Sequence, residues 1–145
     1  MKYFKCGNCQ KAYKIDESKV TSSIVIVECS SCNAKNSVRF GPVLVAQSNA
    51  SVKQFALKPG ENLIGRKSEA SNSQILINDE YISRNHASVF IEEKDGKLYA
   101  FISDNGSLNG TFNQKKARLK TGLKYPITTK DYYIAGLTKL FLKFN

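Results

Sequence analysis

Three short polar segments gather the side chains best suited to holding an anion. They are Gly65-Arg66, Ser83-Arg84-Asn85-His86-Ala87 and Asn105-Gly106-Ser107-Leu108-Asn109-Gly110-Thr111. Together they supply two guanidinium groups, several hydroxyls and an Asn-Gly turn. Arginine's planar fork and neighbouring hydroxyl donors match the oxygens of a phosphate. Each segment lies between alternating apolar runs, which places it on a loop between β-strands, where a rigid sheet commonly presents binding groups. His86 is the sole histidine and stands near Ser83 in the chain. A catalytic pair would also need an orienting acid, and the sequence offers no convincing third member.

A second constellation stands at the front of the chain. Cys6-Gly7-Asn8-Cys9 and Cys29-Ser30-Ser31-Cys32 are two CxxC pairs separated by nineteen residues. That spacing is within the range of a four-thiolate zinc site, because each CxxC turn aims two sulfurs at one centre and two turns complete a tetrahedron. Four thiolates leave no open coordination position, so one Zn²⁺ here is structural. Two disulfides, an iron–sulfur cluster or a redox CxxC are the alternatives. Disulfides suit a cytoplasmic chain poorly, and a redox pair would precede a helix in a βαβ unit, which the pattern lacks. About forty residues bury too little apolar surface to fold unaided, which is a further reason to expect a metal staple.

The elements that must position these groups are strands. Ile24–Val27 leads into the second CxxC turn; Tyr13 and Ile15 would share one face, and Val38 and Phe40 another. Gly41-Pro42 marks a boundary, since proline forces extended geometry on the residue before it. The expected division is a ribbon over 1–41 and a sandwich over 42–145. Strands are expected at 43–46, around 52–57, at 62–64, 74–77, 87–91, 98–103 and 137–144. Lys94-Asp95-Gly96-Lys97 reads as a hairpin turn. No stretch sustains a 3.6-residue apolar period. The expected fold class is all-β: an antiparallel β-sandwich with a small N-terminal zinc ribbon.

The 145 residues carry a formal charge of +10. Residues 1–41 hold seven Lys and Arg against three Asp and Glu, and residues 42–145 fifteen against nine. One ion held by four thiolates would bring the total to +8. A basic surface favours an anionic partner without naming it. No apolar run approaches membrane-span length, and the first residues do not read as a signal peptide, so the expected location is cytoplasmic.

The order Gly65-Arg66, Ser83-Arg84-x-His86-Ala87, Ser107-x-Asn109-Gly110-Thr111 resembles a forkhead-associated domain, over about residues 42–145. The resemblance implies an SMAD/FHA-type sandwich whose loops bind phosphothreonine peptides without catalysis, as a signalling adaptor. It implies that Arg66, Ser83 and Arg84 meet the phosphate or adjacent peptide. Asn109 would hydrogen-bond the peptide main chain. Gly65, His86, Ser107, Gly110 and Thr111 would support the loops. Leu108 departs from the pattern: many members carry Ser or Thr there. Its N–H remains as a donor, but the missing hydroxyl lowers the expected affinity about ten-fold or more. Asn105 and the pair Lys115-Lys116 are candidates to compensate.

Three functions are therefore open: a phosphothreonine reader with a phosphorylated protein partner; a nucleic-acid module whose ribbon uses Lys11, Lys14 and Arg39; and a scaffold that binds an unmodified partner through the same loops. An enzyme is the least supported class. No sequence feature sets an oligomeric state.

Overall fold

The computed structural model describes residues 1–68 and 73–145. Its front consists of two antiparallel hairpins. The first pairs β1 (Lys2–Lys5) with β2 (Ala12–Ile15), and the second pairs β3 (Ile24–Glu28) with β4 (Lys35–Arg39). Each hairpin turn carries one CxxC pair. A 3-10 turn at Glu17–Lys19, capped by the Asp16 carboxylate on Ser18 N–H, joins the hairpins.

The remaining strands form two five-stranded sheets. One runs β12 (Tyr125–Pro126), β10 (Lys97–Asp104), β9 (Ala87–Lys94), β7 (Gly60–Arg66), β8 (Ile75–Ile77). The other runs β11 (Thr111–Asn113), β13 (Tyr132–Ala135), β14 (Thr138–Phe144), β5 (Pro42–Gln47), β6 (Val52–Ala56). Alternation explains which faces meet. In β14 Thr138, Leu140, Leu142 and Phe144 are buried while the residues between them are half-exposed. Ile64, Val89 and Ile102 of the first sheet and Leu44, Ala135 and Leu140 of the second are fully or almost fully buried in one shared apolar cluster.

The expected all-β architecture is present, and among the described residues its pairing is antiparallel except that β7 and β8 run parallel, in register Ile64–Ile75 to Arg66–Ile77. A parallel neighbour requires a crossover rather than a tight turn. Arg66, the last residue of β7, therefore stands at a sheet end instead of in a hairpin. The short strands β11, β12 and β13 were not foreseen, because two to four residues carry too little alternation to stand out.

The ribbon is not tethered loosely. Val20, Val38 and Phe40 belong to the same buried cluster as Leu142 and Phe144. Gly41 and Asn145 exchange both backbone hydrogen bonds at 2.9 Å, which ties the junction to the chain's last residue. The Asp95-Gly96 turn has φ of +53° and +76°, the left-handed pair that matches strand twist.

Candidate functional site

Ser83 is the meeting point of the three polar segments. Its carbonyl accepts the N–H of Arg66 at 3.0 Å, at the end of β7. Its hydroxyl oxygen accepts the N–H of Leu108 at 3.1 Å, from the β10–β11 loop. Its own N–H donates to Nδ1 of His86 at 3.0 Å. Because Nδ1 accepts, the ring proton sits on Nε2, which donates to the Gly110 carbonyl at 3.1 Å. His86 is fully buried. Burial holds its pKa below the usual 6.5, against the Gly110 carbonyl and the charges of Asp104 and Asp79. Both ring nitrogens are thus engaged in joining two loops, and neither faces the Ser83 hydroxyl as a base.

Gly65 lets β7 approach this loop. A Cβ there would collide with the Arg84 carbonyl and the Ser73 hydroxyl, which themselves share a 2.9 Å hydrogen bond. The side chains of Arg66, half-buried, and Arg84, exposed, have no hydrogen-bond or ion-pair partner among the described residues. A free guanidinium keeps its fork of donors available for an oxyanion.

The β10–β11 loop is built on a residue the sequence reading passed over. Asp104 is 1% exposed and accepts four hydrogen bonds: from Gly106 N–H and Ser107 N–H at 3.0 Å, from the Ser107 hydroxyl at 2.5 Å and from the Thr111 hydroxyl at 2.7 Å. Burial pushes its carboxyl up, but these bonds outweigh burial and hold it below the ordinary carboxylate value. The order Asp-Asn-Gly-Ser is the local signal that could have revealed it, since an Asp readily caps backbone N–H groups two and three residues on. Gly110 has φ +85°, and the Arg118 guanidinium lies where a Cβ would project. Arg118 also donates to the Ser107 carbonyl at 3.1 Å.

Asn109 donates its side-chain N–H to the Tyr81 carbonyl at 2.9 Å and so links the Asn-Gly turn to the β8–β9 connection. Leu108 is 84% exposed, but its N–H is already bound to Ser83. The compensating groups considered from sequence are placed elsewhere. Asn105 is committed to Asn85 Oδ1 at 2.9 Å and Ser88 Oγ at 3.0 Å. Lys115 and Lys116 lie in a turn at the opposite end of β11, with Lys116 at φ +64°.

The four cysteines form a second centre. Their sulfurs lie within 4.8 Å of one another. Cys6–Cys32 and Cys9–Cys29 are 3.7 and 3.6 Å apart. An ion with bonds of about 2.3 Å at the middle of a regular tetrahedron sets its sulfurs about 3.8 Å apart, so the residues fit one metal ion. The two halves repeat one turn. Cys6 N–H donates to Lys11 O and Gln10 N–H to Cys6 O; Cys29 N–H donates to Ala34 O and Asn33 N–H to Cys29 O. Gln10 and Asn33 have φ of +68° and +62°. Tyr13 hydroxyl donates to the Cys29 sulfur at 3.2 Å and, with the N–H groups of Cys32 and Ser31, draws that thiol down to about 6. Backbone N–H groups of Cys9 and Asn8 lower Cys6. Cys9 has the Lys11 N–H lowering it, yet the neighbouring sulfurs, Cys29 first, push it up to about 11.

The FHA domain family model matches residues 62–133, a span that contains all three loops. The fold is similar to full-length yeast Pml1p, at TM-score 0.64 and 19% identity over 74% of this chain and 83% of that one. It is similar to the FHA domain of CT664 from Chlamydia trachomatis, at TM-score 0.59 and 21% identity over 70% and 95%. A third neighbour, from work on phosphothreonine-dependent FHA domain interactions, has TM-score 0.55 and 22% identity over 69% and 94%. No curated protein matches the sequence. The chain carries an FHA domain, preceded by a four-cysteine ribbon. Among the described residues, no helix is long and apolar enough to cross a membrane.

Proposed function

We propose that the chain is a non-catalytic reader of phosphothreonine in a partner protein. The observation that carries this reading is the pair of guanidinium groups, Arg66 and Arg84, that have no hydrogen-bond or ion-pair partner among the described residues and stand on segments held together at Ser83. A phosphothreonine brings about −1.5 to −2 charge and three acceptor oxygens. Arg66 and Arg84 supply charge-assisted donors, and the Ser83 hydroxyl hydrogen remains free to donate because its oxygen is the acceptor from Leu108. Asn109 keeps its side-chain oxygen for a peptide N–H while its nitrogen holds Tyr81. Burial braces the loops from beneath through His86, Asp104 and Thr111, so little ordering is left for the ligand to impose. The match to the FHA family and the phosphothreonine-dependent neighbour support the same reading.

In this proposal the sandwich over 42–145 binds and the ribbon over 1–41 holds one structural Zn²⁺ at Cys6, Cys9, Cys29 and Cys32. Four free thiols arranged as ligands suit a reducing compartment, the cytoplasm. Titration calorimetry with one peptide in phosphothreonine and unmodified threonine forms tests the function. Micromolar binding of the first and at least ten-fold weaker binding of the second is expected. Equal binding of both forms would favour the unmodified-partner scaffold instead.

A further inference from the structure

The most exposed aromatic ring among the described residues belongs to Tyr3, at 73%. It stands on β1 of the ribbon, where alternation divides the hairpin into two faces. Lys2, Phe4, Tyr13 and Ile15 are half-buried, and Phe4 and Ile15 pack against the shared apolar cluster. Tyr3, Lys5, Ala12 and Lys14 are exposed on the other face. Tyr3 is the register partner of Lys14, and Lys5 of Ala12. Opposite residues of an antiparallel pair have Cα atoms about 4.5–5.5 Å apart, and next-but-one residues of a strand about 6.8 Å. One ring and two ammonium groups therefore project from a patch of backbone under about 10 Å across.

Among the described residues the ring of Tyr3 is neither stacked nor covered by a cation. The ring contacts fall instead on Phe4, Tyr13, Phe40, Phe90, Tyr132 and Phe141. Lys5 and Lys14 have no ion-pair partner among those residues either. Residues 2–15 contain four lysines and no Asp or Glu. The next acids along the chain are occupied: Asp16 caps Ser18, and Glu17 meets the N-terminal ammonium at 3.3 Å. One divalent ion on four thiolates would add −2 and take residues 1–41 from +4 to +2, still basic. The face differs from the sequence expectation. Lys11 donates to the Ser30 hydroxyl at 2.7 Å and lies 5.5 Å from the centre of the Tyr13 ring, while Arg39 stands on the other hairpin. Lys5 and Tyr3 join Lys14 in their place.

We infer that this face of the ribbon binds single-stranded nucleic acid, with a base stacked on Tyr3 and backbone phosphates on Lys5 and Lys14. Charge and ring together select the occupant. A free ring flanked by ammonium groups matches a chain that alternates flat bases with phosphates. An acidic peptide would engage the lysines and leave the ring unused, and a duplex keeps its bases stacked on one another. The contact is small, so binding is weak, and it tolerates any sequence because every base has a π-face. The inference stands apart from the phosphothreonine reading, since the ribbon face shares no residue with the loops of Arg66, Ser83 and Asn109.

The test is fluorescence anisotropy of labelled oligo(dT) and oligo(U), about twelve nucleotides long, with the full metal-loaded chain across a salt series. The logarithm of affinity is expected to fall with the logarithm of salt at a slope of about −1.4, since each phosphate neutralised on a single strand contributes about −0.7. Tyr3→Ala is expected to weaken binding at least about five-fold, and Tyr3→Phe, which keeps the ring, to stay within about two-fold of wild type. Lys14→Ala should bring the slope to about −0.7. Both positions are exposed, so each variant should keep its metal and melt as wild type does. No binding at low salt, affinity unmoved by Tyr3→Ala, tighter binding of the matching duplex, or equal competition by polyglutamate overturns the inference. Displacement of the strand by excess phosphothreonine peptide also overturns it, by placing the strand on the sandwich loops. Failure of that peptide to bind at all fails the phosphothreonine reading and leaves the ribbon face standing.

Discussion

Replacing Asp104 by Asn should unfasten the loop that carries Leu108 and Asn109 without altering a group that faces a ligand. The native carboxylate accepts two N–H bonds on one oxygen and two hydroxyl bonds on the other, in a site 1% exposed. The better orientation of an Asn keeps its oxygen on the Gly106 and Ser107 N–H groups. Its NH₂ then faces the Ser107 and Thr111 hydroxyls, which must turn round to accept. Hydrogen bonds to a charged group are worth about 1.5–3 kcal/mol and neutral ones about 0.5–1.5. Exchanging charged for neutral on the amide pair and reversing the hydroxyl pair costs about 2–3 kcal/mol, because the four bonds share one acceptor group and do not add. Asp104→Ala leaves all four donors unsatisfied and should cost more than about 4 kcal/mol. For a chain of this size each kcal/mol lowers Tm by about 3–5 °C. The assay is urea unfolding followed by far-ultraviolet dichroism, repeated across pH. The sign is fixed by the depressed carboxyl: its stabilisation is complete above the unfolded value of 3.8 and is lost as pH falls through the lower folded value. Wild type should therefore lose stability faster than Asp104→Asn below about pH 4. An Asp104→Asn midpoint within about 0.5 kcal/mol of wild type at pH 7 would refute the reasoning.

Other outcomes follow from the same geometry. The His86 ring, followed by proton NMR, should titrate below its ordinary 6.5, and the stability it contributes should be present above pH 6.5 and fall as pH drops through the folded value; a midpoint above 6.5 would contradict its burial as a neutral bridge. Gly65→Ala should destabilise by about 2 kcal/mol or more, or move the Ser83 segment and weaken phosphopeptide binding, because its Cβ meets the Arg84 carbonyl; a melt and titration both matching wild type would show that the close approach is dispensable. Stripping the metal should lower the melting of the whole chain in one transition, since Val20, Val38 and Phe40 share the sandwich core; a ribbon that unfolds alone, with the sandwich melt unmoved, would argue against that union. Tyr13→Phe removes the hydroxyl on Cys29 and should weaken metal binding about ten-fold in a competition with a chromophoric chelator; unchanged affinity would leave that contact without consequence.

Much of this molecule is legible in the order of its residues, and what is not has physical causes. The two CxxC turns can be placed by spacing alone, because tetrahedral thiolate coordination permits few alternatives. The hairpin at Asp95-Gly96 is equally plain, since few residue pairs accept two left-handed conformations. The loops bearing Arg66, Ser83 and Asn109 are visible as polar breaks between alternating runs. Asp79 and Asp104 are not, because an acid in a loop reads as a solvated surface group until the chain folds over it. The role of the Leu108 N–H is hidden for the opposite reason. Its partner, Ser83, is 25 residues away, and only tertiary structure decides whether a backbone donor is free. The parallel β7–β8 pair escapes for the same reason, since alternation shows which residues face inward but not which strand lies alongside.

The central claim is that Arg66 and Arg84 grip a phosphate beside Ser83. The most direct measurement is calorimetric titration of wild type, Arg66→Ala and Arg84→Ala with one phosphothreonine peptide, each variant first shown to melt as wild type does. The account predicts at least ten-fold weaker binding for Arg66→Ala, about 1.4 kcal/mol, with a smaller loss for the more exposed Arg84→Ala. Unchanged affinity in Arg66→Ala would contradict it.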